Sequence, residues 1–202
     1  ASAKIILAPQ NNSWKGLYVI GDGGKSSELS KVVIRSTSGL EDGMLHLTGG
    51  VTFYNSDLLL EDVRFEGSYA EDALNLVGSK YIFKKVYFNG TRSDAFDSDF
   101  SSGKIVDSVI DDIRGDALDF SGSICDIENT TISDVQDKAV SVGEQSVVTL
   151  RAVQIDRVGV GIASKDGSRV TISDSSIRNY TLHAGMTYSK KGFYDGKPRI
   201  NM

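Results

Sequence analysis

The sequence predicts an all-β fold, a right-handed parallel β-helix (β-solenoid), with a 22-residue period over residues 73–182 and about eight coils in all. Three observations carry this. Five consecutive 22-residue blocks begin at Ala73, Ala95, Ala117, Ala139 and Gly161, and the second residue of each is large and apolar: Leu74, Phe96, Leu118, Val140, Ile162. A second apolar pair, five residues apart, recurs in every block as Phe83/Phe88, Ile105/Ile110, Ile127/Ile132, Leu150/Ile155 and Ile172/Ile177. A serine stands four residues before the first member of each pair: Ser79, Ser101, Ser123, Ser146, Ser168. Short alternating segments rich in Val, Ile, Phe and Thr, broken by Gly, Ser, Asn and Asp, read as strands and turns, and no window offers an amphipathic helix of three turns.

In chain order, residues 1–16 are expected to supply an N-terminal strand and cap. Coils run over 17–182, and 183–202 form a terminal partial coil and tail, all within one domain spanning 1–202. A first turn starts near Leu17. The next starts near Met44 and matches the template through Ser56, Leu60 and Phe65, with GGVTFYN read as an insertion between its first and second strands. The last two full coils carry one extra residue before the serine and one fewer in the closing turn, so the period survives. A final partial turn starts near Gly185. Right-handed coiling is the default for parallel connections. At roughly 4.8 Å per step, the rod is about 40 Å long.

The composition excludes several classes. Net charge is −5, which disfavours a nucleic-acid backbone as partner. Cys125 is the only cysteine, so there is neither a disulfide framework nor a cysteine-based zinc site. No run of 18 apolar residues suggests a transmembrane segment, and no signal peptide is visible. His46 and His183 lie too far apart along the ladder to pair. Sequons stand at Asn11, Asn89, Asn129 and Asn179. Trp14, Tyr18, Tyr54, Tyr69 and the Tyr180–Tyr188 region are candidate sugar-stacking aromatics, although core or edge cover is the commoner role. Lys190 and Lys191 read as charges that discourage pairing at the last edge.

The register places a candidate site on one face. With alternation in the first strand, positions two and four point inward, and three and five outward. Position three then stacks His46, Asn75, Asp97, Asp119, Ser141 and Ala163; position five stacks Thr48, Val77, Asp99, Ser121, Gly143 and Lys165. Asp72, Asp94, Asp116 and Lys138 form an adjoining column just before the strands. Two carboxylates stacked at roughly 4.8 Å repel by about 3–4 kcal/mol at an effective dielectric near 20, so the columns need compensation. For the Asp72–Asp94–Asp116 column, turn hydrogen bonds from backbone amides one or two residues on supply it, with Lys138 capping the charge. Asp97, Asp99 and Asp119 are not explained that way, because strand Asp is disfavoured. They are the first candidate ligands for calcium, which takes several hard oxygens, with Asp94 and Asp116 next. Asp97, Asp119, Ser141, Glu144 and Asp166 are candidate ligand-binding residues.

Laid coil by coil, the ladder resembles the pectin-lyase-like right-handed parallel β-helix superfamily, which holds many polysaccharide lyases and hydrolases. Its polygalacturonase-type hydrolases carry NTD, DD, GHG and RIK on successive coils. Asp94 in RSDAFD matches the Asp of NTD, Asp116 in GDALDFSGS the second Asp of DD, and Lys165 in GIASKD the Lys of RIK. Gly115, Lys138 and Ala163 depart from the pattern. The resemblance implies catalytic roles for Asp94, Asp116, Lys138 and Lys165 in a polysaccharide lyase or glycoside hydrolase. As a lyase, calcium or a protonated acid would neutralise a uronate carboxylate and a lysine would abstract the C5 proton. That base requires a depressed pKa, whereas the surrounding aspartates raise it; charge balance is the competing role of both lysines.

DKAVSVGEQS followed by GIASKDGS also resembles β-helical modules of large bacterial surface or secreted proteins. The first expectation for function is therefore an extracellular or cell-surface module, joined to neighbouring domains of a longer parent chain, that contacts polysaccharide along the acidic face with calcium as candidate ion. The others are an enzyme on the Asp/Lys ladder and a structural spacer with no ligand.

Overall fold

The computed structural model describes residues 4–202 except 22, 23, 25 and 44, and for Leu45 the backbone alone. Its described elements are all strands, paired in parallel apart from one hairpin, and they stack into a β-solenoid with three faces. The first face is built from Leu17–Ile20, Gly49–Tyr54, Asp72–Val77, Asp94–Asp99 and Leu118–Ser121. It is completed by the later halves of three long bent strands, Thr131–Gly143, Gln154–Lys165 and Ser176–Tyr188. The second face runs from Ser26–Ser30 to Arg199–Asn201, and the third starts at Ile5–Leu7 and ends in the earlier halves of the bent strands. The stack holds about six regular turns, slightly fewer than the eight coils expected, which counted a looser first turn and a partial last one.

Each turn changes direction at left-handed corners, and the corners stack. Asp62, Lys85, Asp107, Asn129, Ala152 and Asp174 all have φ between 46° and 55° at the corner from second to third face. Asp and Asn tolerate this region better than other residues with a Cβ, which is why the sequence punctuates its strands with them.

Inside, every inward position of the first face from Leu74 to Ile162 is buried, and so are both members of each apolar pair from Phe83/Phe88 to Leu150/Ile155. Phe65 stacks on Phe88 at 4.7 Å, and Phe83, Phe96 and Phe120 meet edge to face. The repeated serines form a buried rung between coils. The amides of Ser56, Ser79, Ser101, Ser123 and Ser146 donate to the hydroxyls of Ser79, Ser101, Ser123, Ser146 and Ser168, at 2.8–3.1 Å. Ser123→Ala would orphan the Ser101 amide and remove the bond from the Ser123 hydroxyl to the Ser98 carbonyl. A loss of about 1–3 kcal/mol is expected in urea unfolding, and an unchanged midpoint would show the rung to be idle.

One part of the register differs from the expectation. Gly49–Tyr54 is the first strand of its coil, pairing Thr52 with Asn75 and Tyr54 with Val77, and is not an insertion. Val51 and Phe53 fill the inward positions. The inserted element is the hairpin of Leu40–Asp42 and Leu45–Leu47, which places His46 opposite Glu41 and outside the stacked columns. The coil start expected near Met44 lies outside the described residues. Gly49 and Gly50 look like a turn signal, but neighbours on both sides leave no room for their side chains: a Cβ on Gly49 would lie 2.5 Å from the Thr52 hydroxyl and 2.9 Å from Asn75 Cβ on the next coil. A Cβ on Gly50 would lie 2.1 Å from the Thr37 hydroxyl. At the other end, the shorter closing turn appears in only one of the two coils expected to have it: Val158 to Val160 spans two residues where Val135 to Lys138 spans three, but the last coil regains the residue and pairs Ile162 with Gly185.

Candidate functional site

Three columns converge on the outer side of the first face. Asn75 pairs with Asp97, Asp97 with Asp119, Asp119 with Ser141 and Ser141 with Ala163, in the register the period implies. Val77, Asp99, Ser121 and Gly143 form the neighbouring column. Asp72 pairs with Asp94, and Asp116 and Lys138 continue that line on the next coils.

The turn column is satisfied by the next coil, not by amides one or two residues on. Asp94 Oδ1 accepts from the Asp116 amide at 2.8 Å, and Asp116 Oδ1 accepts from the Lys138 amide at 3.0 Å. The Lys138 ammonium then closes the line, 3.2 Å from Asp116 Oδ1 and 2.6 Å from Asp137 Oδ2. This arrangement also explains Gly115: any side chain there would place its Cβ 1.9 Å from Asp94 Oδ1. The Asp94 carboxylate and a second acid at 115 are mutually exclusive in this backbone.

The outward group behaves differently. Asn75 Nδ2 donates to Asp99 Oδ2 at 3.1 Å and reaches Asp97 Oδ2 at 3.5 Å. Asp119 Oδ1 accepts from the Phe120 amide at 2.9 Å and lies 3.8 Å from the Lys165 ammonium. Lys165 crosses the space left by Gly143, whose Cβ would sit 3.2 Å from Lys165 Cε, and donates to the Ser141 hydroxyl at 2.7 Å.

Burial raises the acids, and their mutual charges add to it. Asp97 is pushed up to about 9, by burial first and then by Asp99, Asp72, Asp119 and Asp94. Asp72 rises to about 7 for the same primary reason, against a hydrogen bond from Thr48. Asp94 rises to about 6, restrained by the Asp116 amide. Asp99 is raised by burial, and the Asn75 bond and Lys191 hold it back. Asp116 is raised by burial, while Lys138 pulls it down. Burial alone would lower Lys138, but Asp137 and Asp116 outweigh it and hold the ammonium above its ordinary value. That direction is opposite to what a proton-abstracting lysine needs.

Among the described residues, the carboxylates whose oxygens all approach within 4.8 Å of one another are Asp94, Asp116 and Asp119, a group that could hold a metal ion. Of the trio Asp97, Asp99 and Asp119 expected first from the sequence, Asp119 alone belongs to it; Asp94 and Asp116, the next candidates, complete the group. Glu144 and Asp166 serve the C-terminal tail. Glu144 ion-pairs with Lys191 and accepts from the Tyr194 hydroxyl at 2.8 Å, while Asp166 Oδ1 accepts the amides of Lys190 and Lys191 at 2.6 and 2.7 Å. Lys191 thus ties the tail to the first face instead of guarding a strand edge. Asn75 stands in the 22-residue column but is not among the candidate site residues; Lys191 and Tyr194 carry no sequence signal, being 47 and 50 residues from Glu144.

No protein-family model matches the sequence, and no curated protein does. Among solved structures, the chain is similar to the catalytic domain of a GH87 alpha-1,3-glucanase variant in complex with tetrasaccharides. Identity there is 12% and the TM-score 0.37, over 90% of this chain and 49% of that one. A second such variant, also with tetrasaccharides, gives 10% and 0.35, over 99% and 61%. The chain therefore spans about half to three fifths of those domains. Neither likeness assigns a role to any residue of this chain.

Proposed function

We propose that the first face binds a neutral polysaccharide and hydrolyses a glycosidic bond, with Asp97 as acid and Asp119 as base. One observation carries the reading. Asp97, pushed up to about 9, keeps its proton at neutral pH, while Asp119, one coil away, ion-pairs with Lys165. Glycoside hydrolysis uses such a pair, one carboxyl donating to the leaving oxygen and one carboxylate acting on the opposite side of the sugar. Ser93, whose hydroxyl lies 3.4 Å from Asp94 Oδ1, adds a group of the kind a polyol chain bonds to. A uronate polymer suits the face less well, because the remaining carboxylates would repel it. The reading takes the chain as one domain of an extracellular or surface protein, where polysaccharides are met.

The experiment is incubation with a soluble alpha-glucan, a beta-glucan and polygalacturonate, read for reducing ends and for absorbance of unsaturated products. Reducing ends from a glucan without unsaturation support hydrolysis. Unsaturated product from polygalacturonate would replace this reading with a lyase, and no product from any polymer by a folded chain rejects catalysis.

The convergence of Asp94, Asp116 and Asp119 favours a second reading of the same face, calcium held by these three as the bridge to a glycan. Lys138 on Asp116 and Lys165 beside Asp119 compete with it by neutralising the cluster in place. A melting temperature raised by millimolar calcium and lowered again by chelator supports the ion; a melt indifferent to both removes it.

A further inference from the structure

At the corner leading from the first face to the second, the stacked left-handed positions are Asn55, Gly78, Phe100, Gly122, Glu144 and Asp166. Five are glycine or polar. Phe100 is the exception: it has φ 48° and is 67% exposed. Two penalties meet there. A side chain with a Cβ is disfavoured in the left-handed region, where glycine on the coils either side adopts φ 62° and 61° freely. A large apolar ring is also left in water, where it gains nothing from burial.

The ring is nevertheless held in place. Gly122 lies beneath it on the next coil, and a Cβ there would come within 2.7 Å of Phe100 Cδ1. The missing side chain is what lets the ring lie against the corner. The Phe100 amide donates to the Ser121 carbonyl at 2.8 Å and fixes the backbone. The residue directly before it is Asp99, the outward carboxylate at the end of the strand Asp94–Asp99. A flat apolar surface therefore borders the acidic columns, at a position where the fold has no need of one. Residues that break a local rule without a structural gain mark functional sites.

We infer that Phe100 is a sugar-stacking subsite, its exposed face receiving the C–H face of a pyranose ring while the hydroxyls reach the aspartates of the first face. Apolar C–H groups on one side of a sugar and polar groups around its rim match an aromatic platform next to carboxylates. The inference rests on the polysaccharide reading of that face and adds the place where one sugar unit is held.

Phe100→Gly tests it without risk to the backbone, because glycine is the residue the corner prefers. The probes are the alpha-glucan and beta-glucan named above, titrated by calorimetry, with thermal melts alongside. The expected result is a melting temperature equal to or above that of the parent, together with affinity weakened about tenfold, equivalent to ~1.4 kcal/mol. Phe100→Tyr, which keeps the ring, should retain parental affinity. Parental affinity in Phe100→Gly overturns the stacking subsite and leaves the polysaccharide reading standing. Failure of the parent chain to bind either glucan overturns both.

Discussion

Asp97→Asn is expected to abolish glycan cleavage and, at the same time, make the protein more stable at neutral pH. The activity loss should be about 10²–10⁴-fold, because the amide keeps the shape of the carboxyl but has no proton to transfer. The stability gain follows from linkage. The Asp97 carboxyl titrates near 3.8 in the unfolded chain and at about 9 in the folded one. Between these values the folded state holds a proton that the unfolded state has released, so stability falls as pH rises, by up to ~1.4 kcal/mol per pH unit. The stabilising side of this window is the acidic one. Asp72 and Asp94, at about 7 and about 6, steepen the slope in its lower part.

Replacing Asp97 with a group that never ionises removes the largest contribution, a gain on the order of 2–4 kcal/mol at pH 7. Urea unfolding at pH 5, 7 and 8.5 on parent and variant measures both the slope and its loss. Parallel profiles in the two proteins would show that Asp97 is ionised in the folded state, and the proposed acid would go with it.

The second large effect is expected at Lys138. Its ammonium and Asp116 are mostly shielded, with side chains 18% and 9% exposed. Lys138→Met leaves the Asp116 carboxylate with its amide bond but without its counter-charge, between Asp94 and Asp119. Breaking one partner of such a pair costs about 2–4 kcal/mol here, allowing for the partial exposure of the lysine. With its folded pKa raised, Lys138 contributes fully at every pH below its unfolded value near 10.4 and loses that contribution only as pH climbs through the folded value. The parent should thus show no lysine-dependent step below pH 10. The variant should recover stability on acidification, as Asp116 takes up a proton. Lys138→Met with Asp116→Asn should regain most of the loss at pH 7; a double variant as weak as the single one would place the damage in lost packing of the lysine stem instead.

The period made the first face legible almost residue by residue, because stacked coils turn equal spacing in sequence into contact in space. Asp97 over Asp119 and the Ser79-to-Ser168 rung needed no more than counting. The misplacement of His46 and Thr48 has a local cause. Gly49 and Gly50 are small for packing reasons, Asn75 of the next coil and Thr52 crowding the first and Thr37 of the coil before crowding the second, and a glycine pair reads the same whether it makes a turn or admits a neighbour. The partner of each turn aspartate was misread because turn chemistry is ordinarily local, whereas here the accepting carboxylate reaches the equivalent amide of the next coil. The tail was illegible for a different reason. The ion pair of Glu144 with Lys191 follows from where the last partial coil sends the chain, and nothing in the spacing encodes that path. Phe100 was read over because its neighbours in sequence are aspartates and serines; its oddness shows only against the left-handed corner it occupies.

The serine rung has a direction. Each amide in it is closed by a hydroxyl that belongs to the next coil, and the hydroxyls of Ser79, Ser101, Ser123 and Ser146 each also bond a carbonyl, as Ser101 does to Asp99 and Ser123 to Ser121. The amides of Ser56, Ser79, Ser101 and Ser123 therefore lack this partner unless the following coil is in place, whereas the Ser146 amide also reaches the Gly143 carbonyl of its own corner at 3.1 Å. The series closes at Ser168, whose amide turns back to the carbonyl of Lys165 within its own corner, 3.0 Å away. Unravelling from the C-terminal side strips amides of their partners, whereas unravelling from the N-terminal side leaves hydroxyls that are still bonded, so the two ends of the rod are unequal in what their loss exposes.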